Sequence, residues 1–295
     1  ETVTYTKVGS LVPSSSDGNF PGAPKVVYPN DPSDATKVTP AGVPTVPGYT
    51  AHDPAGHVLT PGSSYQPSDP TKDTTITYTA DQQQGSVSYV DDTTGKTLKT
   101  DSISGTTGSK SSYSTSGSIA DYKKQGYELV TDGYPADLKF DNDDTTDQNF
   151  TVHLKHRLTP VNPTAPQTPG TPINPDEPDG PKWPTSTNYD KTVNETISYV
   201  DQNGQLVAKQ HTDSVNFTRT VVVDNVTGEV ITSGAGTTAW TATNGDTTFD
   251  AVVSPVVPGS VADKAQIAAV TGLNADSADV NETMTYTKVG SLVTS

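Results

Sequence analysis

Glu1 to Val12 reads ETVTYTKVGSLV and Glu282 to Val293 reads ETMTYTKVGSLV, and the two differ only at Val3 and Met284. A near-identical segment at both ends marks a tandem array, cut so that the tail of one repeat precedes a complete next one. In each copy Val3 or Met284, Tyr5 or Tyr286 and Lys7 or Lys288 alternate with Thr, the period of a β-strand. A strand that recurs at a repeat's end is its closing strand, and it needs neighbours from its own repeat to bury its apolar face. The expected chain is mainly β or α+β. Residues 1–12 are expected to be an orphan tail strand or a linker from the preceding repeat, and the chain an internal fragment of a longer protein.

Apolar residues make up 31% of the 295, too few for one large core, so several small modules are expected. The formal charge of −16 argues against nucleic acid and anionic membranes as partners, since both select basic patches. A polyanionic glycan would also be repelled at long range, so binding one would depend on local hydrogen bonds and stacking. With no cysteine there is neither a disulfide nor thiolate chemistry, which fits Gram-positive exports and many cytosolic proteins alike. No apolar run approaches the roughly 20 residues of a membrane helix.

Along the chain, residues 13–23 are rich in Ser, Gly and Pro and read as a linker. A short Pro/Gly-rich module is expected over 24–83, beginning on Lys25 to Tyr28 and closing on the alternating Thr74 to Thr79. A second module spans 84–157. Its strand Ser86 to Val90 turns at Asp91 to Gly95, with Gly95 at the position that tolerates positive φ, and returns over Thr97 to Ile103. Ser118 to Tyr127 has a capping Ser and a terminating Gly126, so a short helix is expected there. Two strands, a helix and two more strands match the β-grasp (ubiquitin-like) arrangement.

Residues 158–189 read as a Pro-rich spacer. Nine prolines among the 27 residues from Leu158 to Pro184 imply a stiff polyproline-like rod of up to about 80 Å. The third module, 190–293, opens on Thr196 to Val200 with a hairpin signal at Asp201 to Gly204. Asn216 to Asp224 is expected to be one strand, and Ala262 to Val270 a helix on the strength of its alanines. VNET precedes both Thr196 to Val200 and Thr283 to Thr287, and in a β-grasp sheet these first and last strands would lie side by side in parallel.

No nucleophile, phosphate-loop or metalloprotease motif is present, so an enzyme is not expected and no cofactor is required. The five histidines, His52, His57, His153, His156 and His211, read as solvated surface groups. Asp141, Asp143 and Asp147 lie in an oxygen-rich run that would suit Ca²⁺ or, with no ion, a solvated acidic turn. Trp240 reads as core. Trp183 reads either as a hinge packed on the third module or as an exposed sugar platform. Tyr113, Tyr122 and Tyr134 gather around the expected helix as candidate ligand-binding rings.

GSVSYVDDTTGKTL at Gly85 onward, the central GYELV and the closing FTVHLKHR together resemble the MucBP domain of lactobacillus surface adhesins. NETISYVDQNGQLV, NFTRTVVVDNVTGEV, Trp240 and the VTYTKVG-type closure are similar to the larger module that follows it in mucus-binding (Mub) repeats. The resemblance implies a cell-wall-anchored extracellular adhesin, an elongated tandem of β-grasp modules joined by Pro-rich linkers. It implies mucin glycoproteins and their glycans as partners, with immunoglobulins as a further possibility, and no membrane insertion. A passive stalk is the competing reading, and it rests on the proline spacer and the tandem duplication.

Overall fold

The computed structural model describes all residues, 1–295, which divide into two compact units: Glu1–Lys123 with Glu128–Lys155, and Lys124–Tyr127 with His156–Ser295. Three sheets share one device, an opening strand laid parallel to a closing strand. Ser10–Ser14 lies parallel to Thr74–Ala80, Gln82–Asp91 to Gln148–His156, and Asp190–Val200 to Val280–Lys288. The third pair is the one the repeated VNET motif predicts, with Thr196 opposite Asn281 and Val200 opposite Thr285. The only α-helix of the chain, Ser116–Lys124, belongs to the middle module, so the other two modules have the parallel pair without a helix.

In the first unit one sheet runs in the order Val26–Val27, Ser10–Ser14, Thr74–Ala80, Tyr49–His52, Val58–Leu59. Its core gathers Leu11, Tyr28, Ile76 and Tyr78 under Val38, Val43 and Val46. A boundary between Val12 and Pro13 therefore fails, because one strand passes through it. Leu11 is fully buried, and Ser15 Oγ donates to the carbonyl of Tyr78 at 2.6 Å. Phe20 stacks on Tyr78 at 5.1 Å and meets the edge of Tyr49 at 5.2 Å. The stretch read as a linker contributes to a core because two isolated apolar residues, Leu11 and Phe20, are enough to anchor it; hydrophobic periodicity does not register single anchors.

The two copies of the repeated segment meet opposite fates. In the first copy Val3 and Tyr5 are 77% and 84% exposed while Leu11 is at 0%; in the second Met284 and Tyr286 are at 0% and 3% while Leu292 is fully exposed. Gly9 explains part of the motif. A Cβ there would lie 2.4 Å from the backbone of Lys72, whereas the equivalent Gly290 has nothing within 4 Å. The first copy thus uses its GSLV half as an opening strand, and the second uses its TMTYTK half as a closing strand.

The middle sheet runs Tyr127–Asp132, Gln148–His156, Gln82–Asp91, Lys96–Thr106. The helix starts two residues ahead of Ser118, where Ser114 Oγ accepts from the amide of Ser116 at 3.2 Å. It buries Ile119. Past its end the chain turns at Gly126, where φ is +99°.

The second unit corrects the reading of the proline run. Leu158–Val161 is a strand paired antiparallel with Val221–Asp224, and a bridge joins Pro172 to Lys182. Ile173 and Trp183 pack on Val161, Tyr189, Val221 and Val223. A rod is not formed, because Leu158–Val161 lies at the sheet edge, where Pro160 needs no amide donor. The remaining prolines sit in turns closed by Asn and Thr, such as Asn162 Oδ1 accepting from the amides of Thr164 and Ala165. Trp183→Ala is expected to destabilise this unit by about 2 kcal/mol, below the ~3–5 of a fully buried ring. Denaturant unfolding of the variant checks this, and an unchanged midpoint would restore the spacer.

Two further expectations fail locally. Asn216 to Asp224 is not one strand: Leu206–Thr218 ends in the five-stranded sheet, and Val221–Asp224 enters the small one. The break is held by the Arg219 amide donating to Tyr189 O and by Arg219 Nε donating to Asn188 O. Ala262 to Val270 forms no helix; Ser260–Ala262 pairs with Tyr286–Lys288, and Gln266–Ile267 with Val252–Val253. Alanine's helix preference amounts to tenths of a kcal/mol per residue, which two ladders and the burial of Ile267 outweigh.

Candidate functional site

The first unit holds a cleft of about 210 Å³ lined by residues 43–46, 49–51 and 58–61 with Tyr78, Asp81 and Asp144. Its walls come from the Pro-broken segments at 43–46 and 60–61 and from the paired strands Tyr49–His52, Val58–Leu59 and Thr74–Ala80. Tyr78 donates through its hydroxyl to the carbonyl of Pro44 at 2.5 Å, which fixes one wall. Tyr49 is 8% exposed and its buried hydroxyl has no partner. Thr50 Oγ1 donates to Asp81, and Gln83 Nε2 donates to Asp144 Oδ1 at 2.6 Å and to Thr107 Oγ1 at 3.1 Å. Burial pushes the Asp81 carboxyl above the usual carboxylate range against the lowering effect of Thr50, and the neighbouring Asp144 adds to the rise. An apolar wall, an unpartnered phenol and a carboxyl whose pKa burial raises suit a ring with one nonpolar face and hydrogen-bonding edges.

Tyr113 and Tyr134 come together on a second, more open groove of about 340 Å³, with Lys110, Ser111, Asp132 and Asp137. Their rings meet edge to face at 5.4 Å. Tyr113 shares hydrogen bonds with Tyr89 at 2.5 Å and Asp101 at 2.7 Å, and burial first, then these partners, push its phenol upward. Tyr134 donates to Ser111 Oγ at 2.6 Å. With both hydroxyls engaged, the rings are held rigid, and what they offer a ligand is carbon surface.

Tyr122 is not in that groove; it packs on Tyr89 at 5.7 Å. Trp183 is half-buried in the core of the second unit, the hinge-type packing rather than the exposed platform. Trp240 packs partly against Phe217 and Phe249, with Arg219 at 4.5 Å and Lys191 at 5.1 Å from its ring. Asp141, Asp143 and Asp147 are not gathered as ligands. Asp143 Oδ1 accepts from the amide and hydroxyl of Thr145, and these bonds hold its carboxyl below the usual range. The histidines are not uniformly solvated: His156 is 6% exposed and bonded to Asp224 at 2.6 Å, and His211 lies within a long strand facing Glu195. Tyr49, Asp81 and Asp144 escape sequence reasoning because no short spacing links three such distant positions. The acidic run at 141–147 was the one visible signal.

Residues 82–156 match the family described as "Mucin binding domain", and residues 184–290 the one described as "Muc B2-like domain". The crystal structure titled Mub-RV is 34% identical over 70% of this chain and all of that one, with a TM-score of 0.52. The type 2 repeat of the mucus binding protein MUB from Lactobacillus reuteri is 32% identical over 70% of this chain and all of its own, with a TM-score of 0.46. The MucBP domain of an adhesion protein from Pediococcus pentosaceus is 35% identical over 33% of this chain and 97% of its own, with a TM-score of 0.27. No curated protein matches the chain. At 34% identity over the full length of the Mub-RV repeat, the chain belongs to the family of mucus-binding (Mub) repeats.

Proposed function

We propose that the chain is a repeat of an extracellular, cell-wall-anchored adhesin that binds mucin glycans, and that the cleft beside Tyr49, Asp81 and Asp144 takes a terminal sugar ring. The observation that carries the site is a lined cleft one of whose lining residues, Tyr49, has a buried hydroxyl without a partner, since such a group is costly unless something supplies its partner. Family membership supports the substrate class. The groove at Tyr113 and Tyr134 supplies a second stacking surface on the same unit. The passive-stalk reading loses one of its two premises once the proline run is part of a packed unit.

Binding is expected to strengthen as pH falls from neutral towards the isoelectric point of about 4.4. Asp81, with its pKa raised, takes up its proton at a higher pH than an unshifted aspartate, and protonated it donates to a glycan oxygen instead of repelling an anionic sugar. The same shift makes its contribution to stability present at low pH and lost as pH rises through the raised value. Asp81→Asn should flatten the pH profile, and Tyr49→Phe should weaken binding with no loss of melting temperature. Surface-immobilised mucin with the full chain as analyte measures both. An absence of binding across that pH range rejects the adhesin reading; binding unaffected by either substitution rejects only this cleft.

A further inference from the structure

The inner face of the five-stranded sheet in the second unit carries two apolar clusters. One contains Val193, Val215, Phe217, Phe249 and Leu273, the other Ile197, Tyr199, Ile267, Met284 and Tyr286. The inward positions of the central strand run Val193, Glu195, Ile197, Tyr199, so a glutamate stands where the stripe calls for a fourth apolar residue. Glu195 is 1% exposed, and neither of its carboxylate oxygens has a hydrogen-bond partner. A buried carboxylate in that state is among the most unfavourable groups a fold can contain, and it is relieved either by a proton, towards which burial pushes Glu195, or by a compensating cation.

The neighbouring strand supplies the rest of a ligand set. Asp213 is the register partner of Glu195, and His211 that of Ile197, so all three side chains share one face. Their ligating atoms lie within 4.8 Å of one another, the only such group of three in the chain. His211 Nε2 stands 3.4 Å from Glu195 Oε1, an ion-pair distance without hydrogen-bond geometry. That separation is close to the edge of a tetrahedron with bonds of about 2.0–2.1 Å. Asp213 is exposed, with one carboxylate oxygen accepting from the Ser214 amide at 2.8 Å, and His211 is partly open to solvent, which leaves a path for entry. On the parallel neighbour, Glu282 faces Ile197 and adds further negative charge beside Glu195.

We propose that Glu195, His211 and Asp213 bind a divalent transition-metal cation, with Zn²⁺ the best chemical match. One imidazole nitrogen with carboxylate oxygens is a donor set that zinc accepts, whereas Ca²⁺ and Mg²⁺ favour oxygen alone. The ion would join the two longest strands of the sheet at the one point where their apolar packing is interrupted.

The test uses the full chain, stripped with chelator and titrated with ZnCl₂ by calorimetry and by thermal unfolding. One ion per chain is expected, with a saturable rise in the melting temperature of the second unit. Glu195→Gln keeps the side-chain shape, so it should fold, be at least as stable as the metal-free parent, and bind zinc at least about tenfold more weakly. Asp143→Asn should leave zinc binding unchanged. Absence of stoichiometric binding in the parent, or full binding by Glu195→Gln, overturns the proposal. So would loss of binding in Asp143→Asn, which would move the site to the acidic run.

Discussion

Leu11→Asp is expected to unfold the first module and Leu292→Asp to leave unfolding unchanged, although both leucines occupy the same place in an identical GSLV. Leu11 is at 0% exposure among Tyr28, Ile76 and Tyr78, and Leu292 is fully exposed. Removing a buried leucine side chain costs about 2–5 kcal/mol. The aspartate then places an unpaired charge beside apolar rings, which adds several kcal/mol more and brings the total into the range of an entire domain's ~5–15 kcal/mol. The mirror experiment reverses the pattern: Met284→Asp disrupts the five-stranded sheet, and Val3→Asp does not, since Met284 is at 0% and Val3 at 77%. Calorimetry of the four variants resolves the outcome. Equal effects within either pair would mean that the two copies are used alike, and the division of the motif into an opening and a closing half would be wrong.

Asp224→Ala should cost the second unit about 3–5 kcal/mol, the range for breaking one side of a buried ion pair. Its carboxylate meets His156 Nδ1 at 2.6 Å, with side chains 5% and 10% exposed. Its other oxygen accepts from the amides of Val226 at 2.8 Å and Thr227 at 3.2 Å, so it also fastens the turn that follows. Tyr127 packs edge to face on the His156 ring at 5.3 Å. Most of the loss comes from a desolvated imidazole deprived of its aspartate, so the double variant His156→Leu with Asp224→Val should be less destabilised than the two single changes added together. A denaturant double-mutant cycle measures this, and additivity within about 0.5 kcal/mol would show the two residues to be energetically independent.

The contrast between His156 and His153 shows how far a sequence can be read. Alternation correctly places the two on opposite faces of Gln148–His156, and His153 is indeed exposed and paired with Asp92 at 2.7 Å. That the other face at His156 is closed depends on residues some seventy positions away in Val221–Asp224. The candidate sites follow the same logic. Tyr113 and Tyr134 were legible because both flank one short helix, whereas the cleft at Tyr49, Asp81 and Asp144 and the cluster at Glu195, His211 and Asp213 each need strand pairings to become visible. Glu195 carried a signal that periodicity alone could have raised, a charged residue at an inward position of an alternating strand.

Thr alternation, the turn chemistry at Asp91 to Gly95 and Asp201 to Gly204, and the duplicated VNET were sufficient to determine strands, hairpins and the parallel meeting of first and last strands. Those features depend on interactions between residues two to four apart, or on the repetition of a whole motif, and both are written in the order of residues. Tertiary structure alone decided that nine prolines fold back rather than extend, that an alanine-rich run splits between two ladders, and that one copy of GSLV is buried while the other is exposed. In each case the local preference is worth tenths of a kcal/mol to about one. The outcome belongs to burial and pairing with partners that only the folded chain brings near.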